Sequence, residues 1–235
     1  MEARDMVDEM TPDQAIERAI RSRRAIRAFL PAPVEPALLR RLIDLAAQAP
    51  SGTNMQPWKL RVIGPQTRAR LEGALLAALE TGGRPGVEEY RYYPAQFREP
   101  YLARRRKVGW DLYSLLGVVR GDTEGMKRQT AANLRFFDAP VALMLTIDRD
   151  LEIGSWLDLG MFIQTLLIAA QGHGLDSCPQ AIFAQFHPIV RHELAIPQDE
   201  VVVCGIAIGK ADPDAPANRL APEREPVESF TSWLD

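Results

Sequence analysis

Three guanidinium groups fall within five residues, at Arg23, Arg24 and Arg27 of the run Arg23-Arg24-Ala25-Ile26-Arg27-Ala28-Phe29. A planar, permanently charged fork suits a phosphate, which carries roughly two negative charges at neutral pH and several acceptor oxygens. An extended chain places Arg23 and Arg27 on one side, while the bulk of Ile26 and Phe29 favours their burial. A solvated basic turn accounts for the same arginines. The stretch Ala49 to Trp58 bears on the choice. Pro50 and Gly52 punctuate it, and Ser51, Thr53, Asn54 and Gln56 supply compact donors and acceptors for a phosphate or the edge of a heterocycle. On its own this stretch also reads as an ordinary connection from a helix to a strand.

Capping and periodicity outline the elements that must position these residues. Thr11, Pro12 and Gln14 open a helix with Ile16, Ala19 and Ile20 on one face, which gives way near Ser22. Leu38, Leu39, Leu42, Ile43 and Ala46 mark a second helix before the polar loop, and Lys59 to Ile63 a strand after it. Thr67 is placed to cap a helix ending at Gly82-Gly83, Tyr101 to Val119 reads as another, and Asp122 caps one toward Phe137. Pro140 to Ile147 and Val201 to Ile208 have the length and apolarity of strands. Ser155 to Gln171 is apolar over most of its circumference, which predicts a helix buried almost all round.

The two polar stretches, at this spacing, resemble the FMN-dependent nitroreductase family. The likeness continues through Trp156 to Gly160, Gly174 to Gln180, Gly205 to Gly209 and Arg224 to Phe230, and so spans nearly the whole chain in the family's order. Glu99-Pro100-Tyr101, Gly154 to Gly160 and Cys178-Pro179-Gln180 look most like its nitrobenzoate and dinitroaniline reductase branch. One departure is Ala25, where many members have serine, so that one side-chain hydrogen bond to the flavin is missing.

The resemblance implies an α+β fold, a central, mostly antiparallel sheet flanked by helices, in an intertwined homodimer. It implies FMN as cofactor and NADPH or NADH as reductant. Arg23, Arg24 and Arg224 would serve the flavin phosphate, with Ala25 beside them and Arg27 near the N1 and O2 edge. Pro50, Ser51, Gly52, Asn54 and Gln56 match the loop that reaches the flavin, in this family from the partner chain, and Pro179, Gln180 and Ala181 match the segment beside N5. The expected activity is ping-pong transfer of hydride from NAD(P)H to a nitroaromatic or similar flat, electron-poor acceptor. An activated alkene, a quinone or a halogenated phenol would suit a related flavoenzyme, and a flavin-binding protein without turnover is a further alternative.

For organisation, residues 1–10 read as a loose leader, 11–209 as the flavin domain and 210–235 as an arm wrapping the partner subunit. Within the domain, 84–119 combine a lid-like segment with a helix. The lid segment carries Tyr90, Tyr92, Tyr93 and Phe97 and reads either as a cover over substrate or as a loop packed on its own rings. Arg104 to Lys107 reads as a solvated helical face, with a second phosphate, such as that of a nicotinamide cofactor, as the other option.

Composition narrows the rest. Hydrophobic residues at 46% and charged residues at 25% exclude a largely disordered chain, and 235 residues suffice for one domain. A net charge of -3 gives no general pull toward nucleic acid or membrane. Two cysteines make no disulfide framework, so a reducing cytoplasm is expected, and the acidic first ten residues lack the apolar core of a signal peptide. His173, His187 and His192 are scattered, so no metal site is expected. Cys178 is expected to be a small packed residue, and Glu88, Glu89, Asp148 and Asp150 solvated charges.

Overall fold

The two apolar runs read as strands lie side by side at the centre of one sheet. A computed structural model describes residues 11–82 and 88–234. Its order is α1 (Pro12–Ser22), α2 (Pro36–Ala46), β1 (Lys59–Ile63), α3 (Pro65–Glu80), α4 (Tyr101–Leu115), α5 (Thr123–Leu134), β2 (Val141–Asp148), α6 (Ile153–Gly172), β3 (Asp176–Gln180), α7 (Ile182–Gln185), α8 (His187–Glu193) and β4 (Glu200–Gly209). The sheet runs β1-β2-β4-β3 with every pair antiparallel. This is the α+β arrangement expected, with helices on both faces.

Burial on both faces explains why β2 and β4 are almost continuously apolar rather than alternating. Ala142, Met144, Val202 and Ala207 pack under Leu71 and Leu75 of α3, Leu134 of α5 and Val190 of α8. Leu143, Leu145, Ile206 and Ile208 face the other way, onto Leu42 and Ala46 of α2 and Leu159, Phe162 and Leu166 of α6. The register shifts between Leu145 and Thr146, where the ladder skips Val203. The carbonyl of Val203 instead accepts the Tyr90 hydroxyl at 2.6 Å, so the irregularity ties the aromatic segment to the sheet.

Gly205, in the middle of β4, is required by a close approach. A Cβ there would lie 2.4 Å from Phe183 Cδ2 and 3.0 Å from Phe136 Cε1, two rings stacked with centroids 4.4 Å apart. Gly205→Ala is therefore expected to cost about 1–3 kcal/mol through overpacking, a fall of roughly 2–12 °C in melting temperature. A thermal-shift series checks this, and an unchanged midpoint would show that the ring pair gives way freely.

Several boundaries differ from expectation. The third helix starts at Pro65 after Gly64, ahead of Thr67, because proline at the first helical position has no N–H to satisfy. The next stops at Leu115, short of Val119, where Gly117 takes φ 68°. α5 does begin at the Asp122 cap, whose carboxylate accepts the Gly125 N–H at 2.8 Å, but it ends at Leu134. Phe136, Phe137 and Asp138 then take positive φ, which breaks the helix before Phe137. α6 is not buried all round: Leu157 is 70% exposed, since one chain offers only the sheet and its neighbouring helices to cover it. By length and composition this helix could cross a membrane, yet Leu159, Phe162 and Leu166 on its inner side belong to the core. Of the apolar face of α1 only Ala19 is buried, and Ile16 and Ile20 stay exposed. The expected leader and the start of the lid segment, residues 84–87, lie outside the described residues.

Candidate active site

The arginine run lies along the edge of the sheet beside β3. Ala25 bridges Ser177 in parallel, the Ile26 N–H donates to the Ser177 carbonyl at 3.0 Å, and Ile26 and Phe29 are buried as their bulk suggests. The start of the arm holds the run from its other side. Asn218 Oδ1 accepts the Arg27 N–H at 2.7 Å, and Asn218 Nδ2 donates to the carbonyls of Ala28 at 2.8 Å and Asp212 at 2.9 Å. Sequence reasoning missed this buried asparagine, because two of the three groups it satisfies belong to backbone 191 and 190 residues away.

Electrostatically the run is a gathering of like charges. Burial, and then the Arg224 guanidinium, push Arg23 below the ordinary arginine range. Arg23 and Arg27 both act on the Cys178 thiol and pull it down, but burial prevails and pushes it up to about 11, so at neutral pH it is a packed thiol and no nucleophile. Among the described residues no carboxylate lies within ion-pair distance of Arg23, Arg24, Arg27 or Arg224. By contrast Arg61, Arg68, Arg149 and Arg191 each have one. Arg24 is exposed.

Beside Arg27 opens a cavity of about 440 Å³. One wall is Pro179, Gln180 and Ala181, where β3 passes into α7. Gln180 donates through Nε2 to the backbone carbonyl and to Oδ1 of Asn133, each at 2.7 Å, while its Oε1 is buried with no hydrogen-bond partner among the described residues. The lining also includes Tyr90, Tyr92 and Tyr93 with Arg105 of α4. Tyr92 and Tyr93 have ring centroids 4.7 Å apart, and Tyr93 and Phe97 5.4 Å apart. The segment thus packs on its own rings and lines the cavity at once.

At its base the segment is pinned by Glu89, whose side chain is only 8% exposed, contrary to the expectation of a solvated charge. Glu89 Oε1 accepts from Arg149 at 2.5 Å and from Arg191 at 2.7 Å, and Oε2 accepts the Val202 N–H at 3.3 Å, with His187 3.5 Å away. Asp148 is likewise paired, with Lys59.

The polar loop is elsewhere. Ser51 Oγ accepts the Gln56 N–H at 3.0 Å, and Gly52 N–H donates to Asp158 of α6 at 3.1 Å. Thr53, Asn54 and Gln56 take φ of 49°, 60° and 50°, a cluster of left-handed side-chain-bearing residues of the kind that collects at functional sites. None of Pro50 to Gln56 lines the cavity. Pro50 instead borders an apolar groove of about 760 Å³ on the outer face of α6, with Leu157, Met161 and Ile168. Within one chain Arg27 and the Pro179–Ala181 wall line one cavity, Arg224 borders another of about 580 Å³ with Arg104 and Lys107, and the Ser51 loop lies at neither. No cluster of three or more potential metal ligands occurs among the described residues.

This arrangement accompanies a match of residues 20–210 to the model of the Nitroreductase family. The chain belongs to the nitroreductase family. It is 37% identical over 219 residues to the nitrobenzene nitroreductase of Ectopseudomonas oleovorans, covering 93% of this chain and 96% of that one. To the 4-nitrobenzoate reductase of Pseudomonas putida it is 37% identical over 218 residues, 93% and 95% of the two chains. The crystal structure of the FMN-dependent nitroreductase NfnB from Mycobacterium smegmatis in complex with NADPH matches with a TM-score of 0.90 at 33% identity, covering 96% of this chain and all of that one.

As a nitroreductase-family site, the cavity can be tested for fit to a flavin mononucleotide. Arg23, which has no carboxylate partner among the described residues and is repelled by Arg224, fits a phosphate, while Arg224 Nη1 donates to the carbonyls of Pro222 and Glu223, each at 3.0 Å. The orphaned Gln180 Oε1 fits an N–H at the edge of a ring. Ala25 offers no hydroxyl, and its carbonyl is taken by Arg27 Nη1 at 3.1 Å.

Proposed function

We propose that this chain is an FMN-dependent oxidoreductase that oxidises NADPH or NADH and reduces nitroaromatic or similar flat, electron-poor acceptors. The observation that carries this reading is Arg27 in the lining of a cavity walled by tyrosines, with Arg23 acting on the same Cys178 of that lining and without a carboxylate partner among the described residues. When bound, the flavin supplies two-electron redox chemistry. Arg23, Arg24 and Arg224 would bind its phosphate. Arg27 would hold a fixed cation where reduction places negative charge, which would favour the reduced form. Gln180 and the backbone from Pro179 to Ala181 would orient the ring, and the tyrosine wall would exclude water. Reductant and acceptor would then take turns in the one cavity, so initial-rate plots should be parallel, as in ping-pong kinetics.

The reading includes a homodimer. A second copy seated on the outer face of α6 covers Leu157 and Met161 and brings its own Ser51 to Gln56 loop to the cavity, where the loop of the same chain does not reach. Phe230, Trp233 and Leu234 at the end of the arm are exposed and available to the same partner. Sedimentation equilibrium should return twice the chain mass. Two buried free cysteines accord with a reducing cytoplasm.

The deciding experiment is a visible spectrum of the purified protein, then anaerobic NADPH, then 4-nitrobenzoate. Bleaching of an oxidised-flavin spectrum and its return are expected. A protein that stays colourless with added FMN removes the reading. Bleaching without reoxidation by nitroaromatics would move the acceptor to quinones, activated alkenes or halogenated phenols. A flavin spectrum that NADPH and NADH leave unbleached would favour a binding protein, the reading to which the missing hydroxyl at Ala25 lends support.

A further inference from the structure

We infer that Arg105 is a specificity-determining residue for the acceptor, holding the anionic substituent of a negatively charged nitroaromatic such as a nitrobenzoate at the outer wall of the cavity. The inference rests on the reading of this cavity as the place where the acceptor is reduced.

Arg105, an exposed residue of α4, lines the same cavity as Pro179 to Ala181. Its guanidinium stands 4.7 Å from the Phe97 ring centroid and 5.3 Å from that of Tyr93. Contact with two rings holds the planar fork in place without consuming its in-plane donors, which stay available to a carboxylate. Its helix neighbours are differently engaged: Arg104 pairs with Glu225 at 2.9 Å and Lys107 with Asp111 at 2.8 Å. Arg105 has no carboxylate within ion-pair distance among the described residues. Glu88 is the acidic residue in the cavity lining, against Arg27 and Arg105, so the lining favours an anion. A flat aromatic ring with a carboxylate opposite its nitro group matches this layout: the ring lies against the tyrosines and the carboxylate meets the fork.

The test compares 4-nitrobenzoate with nitrobenzene, which share ring and nitro group and differ in charge, on the holoenzyme and its Arg105→Gln and Arg105→Lys variants. Dissociation constants come from flavin difference spectra, and kcat and KM from NADPH oxidation. Arg105→Gln is expected to raise both Kd and KM for 4-nitrobenzoate about tenfold more than it raises those for nitrobenzene, and to leave the KM for NADPH in place. Arg105→Lys should fall between, since it keeps charge but loses the fork. Equal losses with both acceptors would reduce Arg105 to a piece of the wall, a loss confined to NADPH would assign the fork to the reductant's phosphate, and no change would leave it idle. Each of these overturns the inference and leaves the reading of the cavity intact. Failure of the parent protein to bind FMN, or to be reoxidised by either acceptor, overturns both and is seen with the parent alone.

Discussion

Glu89→Ala is expected to cost about 3 kcal/mol or more of stability, and with it the order of the tyrosine wall. The substitution removes the carboxylate that holds Arg149, Arg191 and the Val202 N–H, and Arg191 is itself only 9% exposed, so a buried cation loses its partner. For a chain of this size that is a fall of at least roughly 6 °C in melting temperature. Glu89→Gln keeps the shape without the charge and should lie between. The loss depends on pH with a definite sign. Burial alone would raise the Glu89 carboxyl, but the hydrogen bonds from Arg149 and Val202 and the charges of His187 and Arg191 outweigh it and hold the group below its ordinary 4.5. A depressed carboxyl contributes stability that is present above the unfolded value and is lost as pH falls through the folded one. The gap between parent and Glu89→Gln should therefore be full at neutral pH and narrow below about pH 4.5. Glu200, paired with Arg61 and also depressed, supplies acid sensitivity that persists in both proteins. Chemical denaturation across pH checks this, and a gap that does not vary with pH would show that Glu89 acts through shape alone.

Arg23→Ala is expected to weaken FMN binding about ten- to a hundredfold, the loss of a charge-assisted contact to a phosphate. The distinguishing sign is in the flavin-free protein. Arg23 and Arg224 repel each other there, so removing one should leave the apoprotein as stable as the parent or more so. Titration of apoprotein by flavin fluorescence measures the first effect and thermal unfolding the second. Riboflavin, which lacks the phosphate, serves as the control and should bind parent and variant alike. Equal weakening with both flavins would mean that Arg23 supports the fold of the segment and does not meet a phosphate.

What made the fold legible was local. Strands covered on both faces need no alternation, so Val141 to Asp148 and Glu200 to Gly209 stand out as apolar runs. Caps such as Asp122 act within one turn, and the family motifs are short and ordered. The candidate site was legible in part for the same reason: three arginines within five residues stand out as a dense basic run, which an anion or solvation alike would explain. Asn218 and Glu89 were not. Asparagine in an irregular arm and glutamate beside another glutamate read as solvated, and nothing near them in the chain says otherwise. Their partners are 190 and 102 residues away, and burial is a property of what comes to rest above a residue.

Element types, the core strands, the family and a dense basic run could all be read along the chain, because capping, periodicity and charge density act over a few residues. Folding in three dimensions was needed to bring Arg23 under the influence of the Arg224 charge, to spend the Gln180 amide nitrogen on Asn133 while its oxygen keeps no partner among the described residues, and to lay the Ser51 loop away from the cavity on α6. The cause is the same in each case. A charge or a hydrogen-bonding group takes its chemical character from the groups packed against it, and here those groups come from distant parts of the chain.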